Sequence, residues 1–277
     1  MIVLGNKNTI IMSTVIFIYI CLLNFIFLDK ASAVPFQTSA KHVLLMDYET
    51  GAILYEKAAD KTMFPASMSK MMTSLIVFDR LREGSLTLNT KLLVSEKAWR
   101  MGGSKMFVRA GRKVKVQDLL RGVIVQSGND ASIVLAEAIG GDEKTFAEMM
   151  TKRGKDIGLS NSYFKNATGW PDPGHITTAR DLAKLANYII REYPEYYKYY
   201  SEKKFTYGKS PDGKPITQSN RNPLLYHNNG ADGLKTGYIN SSGYGLTASG
   251  IRKNRRLTLV MHGMGNVRTR TSESRRL

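Results

Sequence analysis

The sequence predicts a mixed α/β domain of the α+β type, in which helices flank one antiparallel five-stranded sheet and a helical subdomain is inserted between its strands. Strand patterns occur near both ends of the chain, and helical patterns fill the region from about residue 84 to about residue 200. The 277 residues contain no internal repeat and no linker rich in proline, glycine or serine. The two groups of strands are therefore expected to meet in one sheet.

The first 33 residues have the three parts of a secretory signal. Lys7 precedes an apolar run of 19 residues at 10–28, and Ala31-Ser32-Ala33 has the small residues of a cleavage site. We expect residues 1–33 to be a signal peptide and the mature domain to span residues 34–277. An uncleaved membrane anchor is the alternative, because 19 apolar residues can span a bilayer. The only cysteine lies in this run, so the mature chain is expected to have neither a disulfide nor a thiol nucleophile.

The first elements after the signal are a hairpin and a long helix. Residues 43–48 and 52–55 alternate as strands do, and Gly51 lies in the turn between them. From Pro65 the period becomes helical, and Val77 and Phe78 widen the apolar face, so this helix is expected to be mostly buried. The residues that define its apolar face are Met68, Met71, Met72, Leu75 and Ile76.

Three further helices are predicted in the middle of the chain. Residues 116–125 and 131–139 have helical patterns, and Gly140-Gly141 is typical of a helix C-terminus. Thr178-Ala-Arg-Asp181 has the spacing of a capping box and opens a helix that runs to about Arg191. Strand patterns return from residue 205, and the last three strands are expected at residues 234–238, 244–249 and 257–262.

Composition and charge limit the function classes. The four histidines show no H-x-x-x-H spacing, so we expect no metal and no cofactor. The formal net charge of +17 suits a partner rich in phosphate or carboxylate groups, such as a wall polymer or a lipid head group. A basic surface without a specific partner explains the charge equally well. Nucleic acid is not expected, because the chain has no recognisable nucleic-acid-binding motif.

Three short motifs carry candidate chemistry: Ser67-Met-Ser-Lys70, Ser127-Gly-Asn129 and Lys235-Thr-Gly237. The first spacing is weak by itself, because it recurs at Ser162-Tyr-Phe-Lys165 and Ser201-Glu-Lys-Lys204. Only the first copy lies at the start of the buried helix, where the serine and the lysine share one helical face. A lysine inside a buried helix is costly unless the molecule uses it.

A buried lysine is what a serine nucleophile needs, because a serine hydroxyl is reactive only beside a base. Lysine becomes that base when its pKa falls, and both desolvation and a second nearby cation lower it. We expect Lys235 to be the second cation and the N–H of Ser67, at the helix N-terminus, to be one oxyanion donor. Taken alone, the first motif also fits a helix-capping serine followed by a surface lysine.

The order S-x-x-K, S-x-N and K-T-G is the signature of class A β-lactamases and penicillin-binding proteins. From about residue 40 onward the longer strings resemble one family, the low-molecular-weight penicillin-binding proteins, which are serine D-alanyl-D-alanine carboxypeptidases. This resemblance implies a β-lactamase/transpeptidase-like fold. The strings that carry it are Pro65-Ala-Ser-Met-Ser-Lys-Met-Met-Thr73, Gly103-Ser-Lys-Met-Phe107, Gln126-Ser-Gly-Asn-Asp-Ala131, Thr178-Ala-Arg-Asp181, Asn220-Arg-Asn222 and Asp232-Gly-Leu-Lys-Thr-Gly237.

The resemblance implies a role for each matching position. Ser67 would form the acyl-enzyme, and Lys70 would take its proton. Ser127 would relay a proton to the leaving D-alanine with the support of Lys235. The other matching residues would bind the substrate through its peptide amide, its terminal carboxylate or its oxyanion: Asn129, Thr236, Gly237, Tyr238 and Arg270.

The activity implied by the resemblance is removal of the terminal D-alanine from peptidoglycan stem peptides that end in D-Ala-D-Ala. β-Lactam antibiotics would be covalent inhibitors, and the enzyme would lie in the periplasm or on the outer face of the cytoplasmic membrane, with peripheral membrane association. Two alternatives stay open: an endopeptidase that cuts D-Ala cross-links, and a catalytically silent penicillin- or wall-binding protein. A class A β-lactamase is not expected, because no E-x-x-L-N string lies between Ser127 and Lys235.

The sequence departs from the family pattern in two places. Tyr238 stands where the family commonly has histidine, which preserves a backbone donor but puts a side-chain role in question. The family also continues past the position of Leu277, so either the sequence is a fragment or the domain closes differently. We expect a helix that begins near Thr271 to be too short to cover the strand at 257–262, and Arg270 to be loosely held.

Overall fold

A five-stranded antiparallel sheet is the centre of the fold, in a computed structural model that describes residues 36–227 and 230–277. The predicted signal peptide at residues 1–33 lies outside the described residues. Residues Ser39–Leu277 form one compact unit. No helix in the described part of the chain has both the length and the hydropathy that crossing a membrane requires.

Strands and helices follow one another in the predicted order. The strands of the described residues are β1 (His42–Asp47), β2 (Ile53–Lys57), β3 (Lys91–Leu93), β4 (Lys113–Lys115), β5 (Lys204–Lys209), β6 (Pro215–Ser219), β7 (Ala231–Ile239), β8 (Gly243–Arg252) and β9 (Arg255–Met264). The α-helices are α1 (Lys70–Arg82), α2 (Glu96–Arg100), α3 (Val116–Arg121), α4 (Asn129–Gly140), α5 (Glu143–Asp156), α6 (Ala179–Glu192), α7 (Pro194–Tyr197) and α8 (Val267–Arg276).

The main sheet joins both ends of the chain, in the order β2-β1-β9-β8-β7, and every neighbouring pair is antiparallel. In its register, His42 pairs with His262 and Lys235 pairs with Thr247. The predicted fold class is confirmed. β7, which carries the K-T-G motif, is an edge strand, so one of its sides is open to a ligand.

Alternate residues of the sheet pack on two different layers, as the period of two requires. On one face, Leu44 and Val260 belong to the main core with α1 and α6. On the other face, Val43 and Met261 form a smaller apolar cluster. The helix α1 is the most enclosed element, because its residues from Lys70 to Phe78 are all buried.

The C-terminal helix differs from the prediction. It begins at Val267 and not near Thr271, because the side chain of Asn266 caps it by accepting a hydrogen bond from the Thr269 N–H at 2.8 Å. The strand that was expected to be uncovered is buried: Leu259 is 6% exposed, and it packs in a cluster that Leu277 adjoins. That expectation was therefore wrong.

The inserted region is largely helical, as predicted, but it also contains the short hairpin β3–β4. Strands of three residues are too short to show an alternating pattern, which is why the sequence did not reveal them. The helix predicted over 116–125 is regular only to Arg121, and Gly122–Gln126 continue as a wider π-helical turn. This turn ends at Ser127, whose φ of 65° is left-handed and directs the chain into α4.

Candidate active site

The nucleophile candidate Ser67 lies on a tight turn in front of α1. The sequence placed it at the start of the α-helix, but residues Ala66–Ser69 form a 3-10 helix and α1 begins at Lys70. Ser69 Oγ donates to the Ala66 carbonyl at 2.8 Å, and Ala66 has a left-handed φ of 50°. The turn thus presents Ser67 to the cleft, while Ser69 and Lys70 point into the core.

Lys70 connects three separate parts of the chain. Its Nζ donates to Ser67 Oγ at 3.0 Å, to Asn129 Oδ1 at 2.7 Å and to the carbonyl oxygen of Thr168. The side chain is 0% exposed. The predicted pairing of a buried lysine with Ser67 is therefore present, and two further acceptors fix the position of the amine.

Burial lowers the pKa of Lys70 to about 7, from an ordinary value of 10.5. The positive charge of Arg221 lowers this pKa further, whereas the carboxylate of Asp130 opposes the shift. The sequence predicted Lys235 as the second cation, and Arg221 has that effect instead. The pKa of Lys235 is itself held well below its usual range, first by burial and then by the charges of Lys70 and two arginines.

The S-x-N motif lies at the bend between the π-helical turn and α4. The Ser127 hydroxyl is buried, lines the cleft and has no hydrogen-bond partner among the described residues. Asn129 accepts from Lys70 and donates through Nδ2 to the carbonyl of Gly102 at 2.8 Å. Its amide group has two N–H bonds, so one of them is still available to a ligand.

The K-T-G motif forms the opposite wall, because β7 passes very close to the nucleophile turn. A Cβ at position 237 would lie 2.8 Å from the carbonyl oxygen of Pro65, so only glycine permits this approach. Lys235 is buried, and its Nζ donates to the Thr236 carbonyl at 3.2 Å. Thr236 and Gly237 line the cleft.

An aromatic and cationic wall closes the end of the cleft. The rings of Tyr238 and Tyr244 stack with centroids 4.1 Å apart, and the Arg270 guanidinium lies 5.9 Å from the Tyr244 ring centre. Arg270 is buried, and its Nη2 donates to the Arg221 carbonyl at 3.2 Å. The expectation that Arg270 is loosely held was therefore wrong.

The cleft has a volume of about 820 Å³. Seven of the predicted site residues line it: Ser67, Ser127, Asn129, Thr236, Gly237, Tyr238 and Arg270. Lys70 and Lys235 lie behind this surface, in the buried layer. The structure therefore brings all nine predicted residues to one site.

Sequence reasoning missed several groups of this site. Thr168 acts through its backbone carbonyl, which no side-chain pattern reveals. Arg221 was quoted only as part of a family string, although its Nη1 donates to Ser104 Oγ at 2.7 Å across the cleft. The signal was available in its neighbour, because Asn222 anchors this string to β7 by donating to the Gly233 carbonyl at 2.7 Å.

The two other S-x-x-K spacings have no such geometry. Ser162 Oγ is bonded to Thr177 Oγ1 and to Asp181 Oδ2, each at 2.8 Å. Ser201 Oγ donates to the Lys198 carbonyl at 2.8 Å on the surface. Neither serine contacts the lysine of its own motif, and both therefore act as structural hydroxyls.

The sheet with its helical insert and the buried serine–lysine pair define the penicillin-binding and transpeptidase-like class of folds. A family model described as D-alanyl-D-alanine carboxypeptidase matches residues 29–266. The chain belongs to this family.

Known proteins of the family are similar over most of this chain. D-alanyl-D-alanine carboxypeptidase DacA of Haemophilus influenzae is 42% identical over 248 residues, which are 88% of this chain and 62% of the relative. The crystal structure of penicillin-binding protein 5 from Haemophilus influenzae has a TM-score of 0.84 at 42% identity and covers 88% of this chain and 71% of its own. Penicillin-binding protein D2 of Listeria monocytogenes, in its ampicillin-bound form, has a TM-score of 0.77 at 27% identity, with 87% and 96% covered. The chain thus spans about three fifths of the length of the curated relatives that it matches.

Proposed function

We propose that this chain is an exported serine-type D-alanyl-D-alanine carboxypeptidase that removes the terminal D-alanine from peptidoglycan stem peptides. The observation that carries the proposal is the 3.0 Å contact between Lys70 Nζ and Ser67 Oγ at the base of an open cleft. With a pKa of about 7, a large fraction of this amine is neutral near neutral pH and can accept the serine proton.

Acylation begins when Ser67 Oγ bonds to the carbonyl carbon of the penultimate D-alanine and its proton passes to Lys70. The N–H groups of Ser67 and Tyr238 stabilise the oxyanion. The C–N bond then breaks, and Ser127 relays the proton from Lys70 to the leaving D-alanine, with Lys235 supporting the relay. The unpartnered Ser127 hydroxyl, buried at the cleft wall, is suited to this transfer. Water then hydrolyses the ester and releases the shortened peptide.

Substrate binding uses the positive charge at the K-T-G side of the cleft. Thr236 and Arg270 bind the terminal carboxylate of the peptide, and Gly237 leaves room for it beside the nucleophile turn. The second N–H of the Asn129 amide donates to the peptide carbonyl of the substrate. A β-lactam presents a carbonyl and a carboxylate in a similar arrangement, so these antibiotics acylate Ser67 and inhibit the enzyme covalently.

Export is supported by the apolar run and the A-x-A site in the first 33 residues. The enzyme acts in the periplasm or on the outer face of the cytoplasmic membrane, where stem peptides are accessible.

Purified muropeptides test the proposed reaction. The chain is incubated separately with monomeric pentapeptides and with cross-linked dimers, and products are separated by chromatography. We expect D-alanine from the pentapeptides and none with Ser67→Ala. Faster cleavage of the dimers would identify an endopeptidase instead. Penicillin labelling without either product would identify a catalytically silent binding protein.

A further inference from the structure

Residues 91–115, here called the basic segment, carry a large excess of positive charge. They contain eight lysine or arginine residues and one acidic residue, Glu96, which gives a formal charge of +7 against +17 for the whole chain. The segment comprises β3, α2 and β4, and its central loop borders the active-site cleft at Gly103 and Ser104. The feature is thus concentrated at one place beside the site.

Most of these cations are not neutralised by the protein. Lys97 pairs with Glu143 at 2.9 Å, and Arg100 pairs with Glu96 at 3.1 Å. Six others take part in none of the salt bridges found in residues 36–227 and 230–277: Lys91, Lys105, Arg109, Arg112, Lys113 and Lys115. Their charge is available to an anionic partner.

The β3–β4 hairpin places like charges directly opposite one another. Lys91 pairs with Lys115 and Leu93 pairs with Lys113, so alternation puts these four side chains on one face. Val114, on the other face, is buried in the core. Like charges at opposed positions destabilise a strand pair, and an anion bound to this face would relieve the repulsion.

Large apolar side chains are exposed among these cations. Leu93 is 61% exposed, Trp99 is 42% exposed and Phe107 is 50% exposed. The Arg100 guanidinium lies 5.4 Å from the Trp99 ring centre, and Lys105 Nζ donates to the Trp99 carbonyl at 2.7 Å. Apolar and cationic groups are therefore interleaved on this part of the surface.

The fold holds Phe107 in its exposed position. Its φ is 68°, a left-handed conformation that is rare for an aromatic residue. The carboxylate of Asp130 accepts hydrogen bonds from the N–H groups of Met106, Phe107 and Val108 at 2.9, 2.9 and 3.2 Å. A buried carboxylate thus fixes the loop that presents this ring.

We propose that the basic segment is a docking surface for an anionic lipid bilayer. Its cations complement the phosphates of lipid head groups, and Leu93, Trp99 and Phe107 are side chains that enter the interfacial layer. A soluble polyanion would neutralise the cations but would leave the exposed apolar side chains unused. Docking in this way brings the cleft edge at Gly103 close to the membrane surface. Because the surface is separate from the serine–lysine pair, its test needs no hydrolytic activity.

The two tryptophans of the chain, Trp99 and Trp170, give a direct test. The full chain with Trp170→Phe is mixed with vesicles of phosphatidylglycerol and phosphatidylcholine whose acyl chains carry bromine, a quencher of nearby indoles. We expect the emission of Trp99 to shift to the blue and to be quenched. The converse variant, Trp99→Phe, reports on Trp170 in the cleft and is expected to show no quenching. This readout is local, so insertion of the apolar N-terminal run cannot imitate it.

Charge reversal gives the second arm of the experiment. In the Trp170→Phe background, replacing the three hairpin lysines of β3 and β4 by glutamate should weaken the quenching response about tenfold or more. The matched control replaces Lys144, Lys152 and Lys155 of α5 by glutamate and should retain it. Circular dichroism melts establish that both variants fold. The proposal is overturned by an unquenched Trp99, by equal losses in both triple variants, or by binding of soluble polyphosphate with no response to vesicles.

Discussion

Replacement of Lys70 by arginine tests the proposed base while keeping its positive charge. At pH 7.5 a lysine with the ordinary pKa of 10.5 is about 0.1% neutral, whereas one with a pKa of about 7 is roughly three quarters neutral. The lowered pKa is thus worth several hundredfold in available base, or ~4 kcal/mol. Arginine stays protonated at this pH, so Lys70→Arg should lose all of this advantage and acylate at least about a thousandfold more slowly.

The assay is the rate of covalent labelling by a fluorescent penicillin, measured from pH 5 to pH 9. For the wild type the rate should rise with pH and level off above a midpoint of about 7, because the reactive form of Lys70 is the deprotonated one. Lys165→Arg, at one of the other S-x-x-K spacings, is the matched control and should label normally. If Lys70→Arg keeps more than about a tenth of the wild-type rate, a loss below ~1.4 kcal/mol, another group is the base.

Three further substitutions test other parts of the site. Ser67→Ala should abolish penicillin labelling, whereas Ser201→Ala should leave it intact; labelled Ser67→Ala protein would refute the nucleophile assignment. Arg221→Gln should move the midpoint of the acylation–pH profile upward, because the catalytic lysine loses a nearby positive charge; an unchanged midpoint would contradict that role. Gly237→Ala should slow labelling by about tenfold or more, because its Cβ forces β7 away from the nucleophile turn. Gly265→Ala, where a Cβ meets no atom within 4 Å, is the control, and equal rates in both would argue against the close approach.

The parts of the fold that depend on local periodicity were predictable from the sequence. The alternating pattern of residues 257–262 and the apolar face that begins at Met68 are properties of single segments, and both are found where expected. Thr178 caps α6 through the Asp181 N–H at 3.0 Å, as its capping-box spacing predicts. Local hydrogen bonds of this kind need no tertiary information.

The site was predictable where a side chain does the work and less so elsewhere. Ser67 and Lys70 lie three residues apart, so their contact follows from the geometry of one turn. The carbonyl of Thr168 reaches Lys70 only because the fold brings the two segments together, and the sequence has no marker for it. The source of the second cation was mispredicted for the same reason, since charge acts through space and Arg221 approaches from another loop.

Folding of this chain is coupled to proton release because Lys70 is buried. Its folded-state pKa of about 7 lies below its ordinary value of 10.5, so between these values the unfolded chain binds more protons than the folded one. The free energy of unfolding therefore rises with pH across this window, by about 1.4 kcal/mol per pH unit for one such lysine. Below pH 7 both states are protonated, and the full cost of charging the buried amine, on the order of 5 kcal/mol, opposes folding. At pH 8 each chain that folds gives up about 0.9 of a proton from this one amine, so refolding in a weakly buffered solution should acidify it.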